Sequence, residues 1–228
     1  MKSQKDSINE LLSEDSYILI ILDACRYDYL KELVPATEAR ESPANNTIDW
    51  FKAIFPGWYD LCYVTNQAVT SNNKFAWFSD DHFAETIKAW KWGKMEAVTR
   101  SAIENLKDRM VIHYTATHSP YGNTGVSMRD AEEAVREGRI TPAEIKEAYM
   151  NDLKRAWSEC EKIISRARQR VVVTADHGEL LGEEGEYGHG EPVGEAGSHP
   201  KLYEVPWLDI SPEEEMVKGR LRELGYLK

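Results

Sequence analysis

Cysteine is scarce in this chain and badly placed for cross-linking: Cys25, Cys62 and Cys160 are widely spaced, odd in number and form no CxxC pair. That excludes the disulfide framework of a secreted domain, and makes reduced thiols in a cytoplasmic protein the expectation. Long apolar runs are missing too. The run YILIIL before Asp23 is six residues long, too short for a membrane span or a signal-peptide core, and the polar, helix-patterned MKSQKDSINELLSEDS precedes it. Basic charge is also in deficit, with 28 Lys plus Arg against 39 Asp plus Glu and a net charge of -11. A nucleic-acid polymer or an anionic membrane is therefore not an expected partner, because such binding rests on neutralising phosphates. A small anionic substrate remains compatible if a bound metal supplies local positive charge. Neither an internal repeat nor a low-complexity linker is evident.

What the chain does have is short apolar runs alternating with helical patterns. Tyr17–Leu22, Leu61–Thr65, Met110–Ala116 and Val171–Ala175 are rich in Val, Ile and Tyr and read as buried strands. Helical patterns cover Thr47–Ile54, Ala84–Leu106 and Pro142–Arg168. This alternation predicts a single α/β domain over residues 1–228, with a doubly wound, mostly parallel sheet and helices on both faces. Asn123–Gly138 is polar enough for a mobile connection. Val205–Ile210 reads as a strand or extended segment, and Ser211-Pro212-Glu213-Glu214 as the start of a last helix over Glu215–Leu224, stopped by Gly225.

Ligands of open parallel sheets collect at the carboxyl ends of the strands, so the residues leaving each run matter most. The first run ends in Asp23, which either caps the next helix or pairs with Arg26, or else ligates a metal; Arg26 and Asp28 read as a supporting pair. The last run ends in Asp176-His177 with Gly178 to turn the backbone, a hard carboxylate beside an imidazole that either ligates a divalent ion or forms a loop salt bridge with a capping role. Thr47 opens a helix, either as its N-cap or as a hydroxyl activated by the helix N-terminus and a cation. His113 lies within the third run and reads as a core histidine. His118 follows it in a loop and is the better candidate to touch substrate. His189 and His199 fall in the Gly-rich stretch after Asp176-His177. Trp77, Trp90 and Trp92 with Lys88, Lys91 and Lys94 form either a substrate cover or an amphipathic helix with buried indoles.

Taken in order, LDACRYD, the Thr47 helix start, HYTATHSPYG, TADHGELLGE, YGHG, HPKLYEVPWL and RLRELGYLK resemble the sulfatase-like branch of the alkaline-phosphatase superfamily, from about Tyr17 to the C-terminus. The resemblance implies an alkaline-phosphatase-like fold and one divalent metal ion, manganese or zinc, with magnesium or calcium as alternatives. Asp23, Thr47, Asp176 and His177 would be its ligands and Thr47 the nucleophile. His118, His189 and His199 would contact substrate, with His118 and His189 also in catalytic roles. None of the cysteines stands in CxPxR, so the formylglycine route of the main sulfatases is not expected. The second metal set of two-metal phosphatases is incomplete, since THSPYG contains no Asp.

The expected activity is hydrolysis or transfer of phosphate mono- or diesters through a threonine nucleophile. The substrate would be a small anionic ester, with a glycan or phosphoglycerol group as candidates. Sulfate- or phosphonate-ester hydrolysis without formylglycine is the first alternative, and a non-catalytic binding member of the fold the second.

Overall fold

In β2 (Tyr17–Leu22) all six side chains are buried, a pattern that requires cover on both faces of the sheet. Ile18, Ile20 and Leu22 enter one apolar layer with residues of α4 (Met95–Glu104) and α6 (Pro142–Ile164). Tyr17, Leu19 and Ile21 enter the other, with α1 (Gln4–Leu12) and α3 (Thr47–Ile54). Each large aliphatic side chain so buried contributes about 1.5–3 kcal/mol relative to exposure. The computed structural model describes residues 1–67, 82–89, 94–115, 117–122, 124–190 and 197–212.

The remaining strands are β1 (Lys2–Ser3), β3 (Glu38–Glu41), β4 (Tyr59–Thr65), β5 (Phe83–Lys88), β6 (Arg109–Tyr114), β7 (Arg170–Thr174), β8 (Leu180–Leu181), β9 (Tyr187–Gly188) and β10 (Glu204–Ile210). Seven of them join β2 in one eight-stranded sheet, in the order β1-β3-β10-β7-β2-β6-β4-β5, and β8 pairs with β9 separately. All pairs in the large sheet are parallel except those of β10, which runs antiparallel to β3 and β7. The predicted doubly wound, mostly parallel α/β architecture is thus the observed one. Register places Leu22 beside Tyr114 and Ile21 beside Thr174, so the chain leaves β2, β6 and β7 at one level of the same edge.

Two expectations fail locally. The predicted helix over Ala84–Leu106 is instead the edge strand β5 followed by α4, because Thr86 and Ile87 are β-branched and find a pairing edge on β4. The polar stretch Asn123–Gly138 contains α5 (Met128–Arg136), with Ala131 and Ala134 fully buried; small apolar residues at i and i+3 suffice to seat a helix. By contrast α6 starts where predicted, through a capping box between Thr141 and Glu144 with Pro142 in the first turn. Between β2 and β3 lies α2 (Tyr27–Leu33). The predicted last helix, Glu215–Leu224, lies outside the described residues, as do Trp77, Trp90, Lys91 and Trp92 of the predicted cover; Lys88 ends β5 and Lys94 precedes α4.

Candidate metal centre

Three loops converge at the carboxyl edge of the sheet. Asp23, just beyond β2, is fully buried, and one of its oxygens accepts from the Gln67 amide beyond β4. Next to it Ala24 has a left-handed backbone, φ 59°, a conformation that costs energy in a residue with a Cβ. The turn aims the Ala24 N–H at Asp176 Oδ1, 3.1 Å away. Tyr149 of α6 holds the same turn, donating from its hydroxyl to Ala24 O at 2.7 Å and accepting from Arg26 N at 2.8 Å.

Asp176 and His177 leave β7 together. Asp176 Oδ1 also accepts from the His177 N–H at 3.0 Å. The His177 Nδ1–H donates to Gly178 O at 2.8 Å, so Nε2 carries the lone pair and faces the site. Gly178 is required here for space: a Cβ would lie 1.9 Å from Lys201 O, where the Gly178 N–H meets Leu202 O at 2.8 Å.

Thr47 is the first residue of α3, and the cap is its neighbour: the Asn46 side chain accepts from the Asp49 N–H. The reading of Thr47 as N-cap is therefore replaced, and its buried hydroxyl is free of that duty. Thr47 Oγ1 lies 3.4 Å from His177 Nε2. Likewise the alternative pairing of Asp23 with Arg26 is not made. Arg26 binds Asp28 through two nitrogens, at 3.0 and 2.7 Å, and Glu183 at 2.6 Å, so Asp28 does support Arg26 as predicted.

The donor atoms define a site for a cation. His177 Nε2 is 3.4 Å from Asp176 Oδ2 and 3.6 Å from Asp23 Oδ1, and one ligand atom from each residue falls within 4.8 Å of the others. A tetrahedral ion with bonds of about 2.0–2.2 Å separates its ligands by about 3.3–3.6 Å. Asp23 Oδ1 and Asp176 Oδ2 are buried without a hydrogen-bond partner, a costly state that a cation relieves. The electrostatics agree. Burial, with Asp176 and Glu179 nearby, pushes the Asp23 carboxyl well up. Burial also opposes ionisation of Asp176, but His177 and His113 outweigh it and hold that carboxyl below its ordinary value. A divalent cation fits this Asp-Asp-His cluster.

A row of imidazoles extends from the cluster: His177 and His189 have ring centroids 4.1 Å apart, and His189 and His118 5.0 Å. His199 is not brought into this row. It caps a 3-10 turn over Pro200–Leu202, its Nδ1 accepting from the Lys201 N–H at 3.1 Å. His113 is fully buried, as expected of a core histidine, with Nδ1 2.9 Å from Tyr63 Oη. Its Nε2 nevertheless lies 3.9 Å from Asp176 Oδ2.

Sequence reasoning missed Glu179 and Gln67. Glu179 is fully buried, its Oε2 accepting from His189 Nδ1–H at 2.8 Å and its Oε1 from Tyr121 Oη at 2.6 Å. Burial pushes its carboxyl up to about 7, while burial drives His189 down to about 4. An acid inside GELLG, flanked by a buried leucine pair, was the available signal for Glu179; Gln67 carried none.

No family model matches this chain. Among curated proteins it is 30% identical over 129 residues to the low-salt glycan biosynthesis sulfotransferase Agl7 of Haloferax volcanii, an alignment covering 48% of this chain and 29% of that protein. The chain therefore spans well under half the length of that relative. Among solved structures, the C-terminal periplasmic domain of EcEptC from Escherichia coli in complex with Zn superposes with a TM-score of 0.59 at 12% identity, covering 91% of this chain and 76% of that one. The C-terminal periplasmic domain of the phosphoethanolamine transferase EptC from Campylobacter jejuni gives 0.55 at 15%, covering 89% and 80%. The phosphonate monoester hydrolase SpPMH from Silicibacter pomeroyi gives 0.53 at 12%, covering 87% and 68%.

The fold is thus alkaline-phosphatase-like, as in these EptC and SpPMH structures. On that fold the Asp-Asp-His cluster lies beside Thr47. The cytoplasmic expectation is corrected: the EptC structures sharing the fold are of periplasmic domains. Its basis also falls away, because Cys25, Cys62 and Cys160 are all buried, and a buried thiol serves as a small apolar side chain in either compartment. Among the described residues no helix is long and apolar enough to cross a membrane.

Proposed function

We propose that this chain hydrolyses or transfers phosphoric esters, with Thr47 as nucleophile and Asp23, Asp176, His177 and Thr47 as the ligands of one divalent cation. The observation that carries the reading is the 3.4 Å approach of Thr47 Oγ1 to His177 Nε2, at the point where two buried carboxylate oxygens have no partner. Zinc is the favoured ion, both from the near-tetrahedral spacing of the donors and from the zinc complex of the similar EptC domain. When bound there, it would supply Lewis acidity to the threonine hydroxyl and to a non-bridging phosphoryl oxygen.

Thr47 Oγ1 attacks phosphorus in line, its proton passes to water, and the P–O bond to the leaving group breaks. Water or an acceptor alcohol then attacks the phosphothreonine and frees Thr47. The leaving group takes its proton from water, and His189 is suited to act as base in the second step, because Glu179 holds its Nδ1–H and leaves Nε2 able to take the proton of the attacking water or alcohol. His118, next in the row, is suited to contact substrate oxygens. His199, occupied as a turn cap, is assigned to the substrate rim. A small anionic ester is the substrate class, with a glycan or phosphoglycerol group as candidates; the glycan is favoured by the glycan-biosynthesis name of the sulfotransferase relative.

The test is turnover of p-nitrophenyl phosphate and bis-p-nitrophenyl phosphate with zinc, manganese and magnesium. Metal-dependent cleavage that disappears in Thr47→Ala is the expected result; cleavage unchanged by that substitution refutes the mechanism. A second reading, sulfuryl or phosphonyl rather than phosphoryl transfer, is favoured by Agl7 being a sulfotransferase and SpPMH a phosphonate hydrolase. Preference for p-nitrophenyl sulfate or a phosphonate ester over the phosphate would select it.

A further inference from the structure

Gln4 is the first residue of α1, yet it is fully buried, an unusual place for a carboxamide unless each polar atom has a partner. Its Nε2 donates to Thr174 Oγ1 at 2.8 Å and to Ala175 O at 2.5 Å, and its Oε1 accepts from Trp50 Nε1 at 2.9 Å. The orientation of the amide is determined by its partners: an indole N–H only donates and a carbonyl only accepts. Thr174 in turn donates to Pro206 O of β10 at 2.6 Å.

These partners belong to two of the elements on which the metal centre depends. Ala175 immediately precedes Asp176 and Thr174 ends β7. Trp50 lies one helical turn after Thr47 in α3. A single side chain from a third element therefore ties the strand exit bearing Asp176 to the helix bearing Thr47, from behind the ligand atoms. Ser42 supplies a second tie from the loop before α3, donating to Asp176 O at 2.5 Å. The chemistry requires this register to be held: hydroxyl and carboxylate must meet one ion, and a shift of about 1 Å costs orders of magnitude in rate.

We propose that Gln4 is a positioning residue that sets the Thr47 helix against the Asp176 strand exit and thereby shapes the metal centre. This rests on the assignment of Thr47 and Asp176 to one cation, but its test does not require turnover. Gln4→Met keeps the length of the side chain and removes the three hydrogen bonds. Zinc affinity of the full chain, measured by competition with a chromophoric chelator at a temperature where the variant remains folded, is expected to fall roughly tenfold or more, the range seen when groups orienting ligands are lost.

A purely structural role predicts a different outcome: a lower melting temperature with zinc affinity within about twofold of the parent, and that result overturns the proposal. If Gln4→Met does not fold, Trp50→Phe keeps the aromatic ring and removes only the N–H to Gln4. It is expected to weaken zinc binding in the same direction by a smaller factor, and unchanged affinity overturns the proposal equally. A parent that binds zinc but cleaves no ester would refute the proposed function while leaving this comparison intact.

Discussion

Asp23→Asn offers a prediction in which function and stability move in opposite directions. In the metal-free protein Asp23 Oδ1 and Asp176 Oδ2 are buried without partners, and Asp23 is crowded by the charges of Asp176 and Glu179. Asparagine keeps an oxygen for the Gln67 amide, removes one of the facing carboxylates and offers an N–H to the other. Relieving one unsatisfied buried group is worth about 1–3 kcal/mol. For a domain of this length about 1 kcal/mol moves Tm by roughly 2–4 °C, so the metal-free variant should melt on the order of 2–12 °C above the metal-free parent.

Added metal should reverse the ranking. A ligand at a hundred times its Kd stabilises by about 2.7 kcal/mol, which for the parent is roughly 5–11 °C, whereas Asp23→Asn should gain little. Differential scanning fluorimetry of both proteins, with chelator and with zinc, measures all four values. A metal-free variant no more stable than the parent, together with an undiminished zinc shift, would refute the assignment of Asp23 as a ligand.

Other substitutions probe separate links. Thr47→Ala should abolish ester cleavage while leaving the metal-free Tm nearly unchanged, since Asn46 caps α3; a large loss of stability would show the hydroxyl to be structural. Gly178→Ala forces a Cβ to 1.9 Å from Lys201 O and should cost at least the about 3 kcal/mol of a severe overpacking, read by urea unfolding; a neutral result would mean the two loops separate freely. At Asp28 and Glu183 burial raises the carboxyl pKa, but Arg26 outweighs it, with Lys201 assisting at Asp28, so both fall below their ordinary values. Groups depressed on folding stabilise above their unfolded pKa of about 4 and lose that contribution as pH falls through the lower folded value. Stability of the parent should therefore drop more steeply below about pH 4 than that of a Asp28→Asn, Glu183→Gln double variant; matching slopes in urea melts across that range would contradict the linkage.

Much of this architecture was legible in the chain because buried parallel strands carry their own signature. Tyr17–Leu22 is apolar throughout and coincides with β2, and Thr47–Ile54 coincides with α3 because its apolar positions recur at helical spacing behind a polar cap. Strands that depend on neighbours were not visible. In EARE of β3 only Arg40 is buried, so the segment lacks apolar alternation and becomes a strand through pairing with β10 and β1.

The candidate site divides the same way. Asp23, Asp176 and His177 leave strands, and Thr47 opens a helix, whose ends the sequence revealed. Glu179 and Gln4 owe their significance to partners distant in the chain, such as His189 and Tyr121, or Trp50 and Ala175. His199 resembled His189 in its Gly-rich surroundings, yet the backbone turn at Pro200–Leu202 claims its ring.

The central claim is that one cation joins both strand ends to the threonine hydroxyl. Anomalous diffraction from crystals grown with zinc tests it directly. The account predicts a single strong peak bounded by Asp23 Oδ1, Asp176 Oδ2, His177 Nε2 and Thr47 Oγ1; a peak elsewhere, or one that Thr47 does not touch, would contradict it.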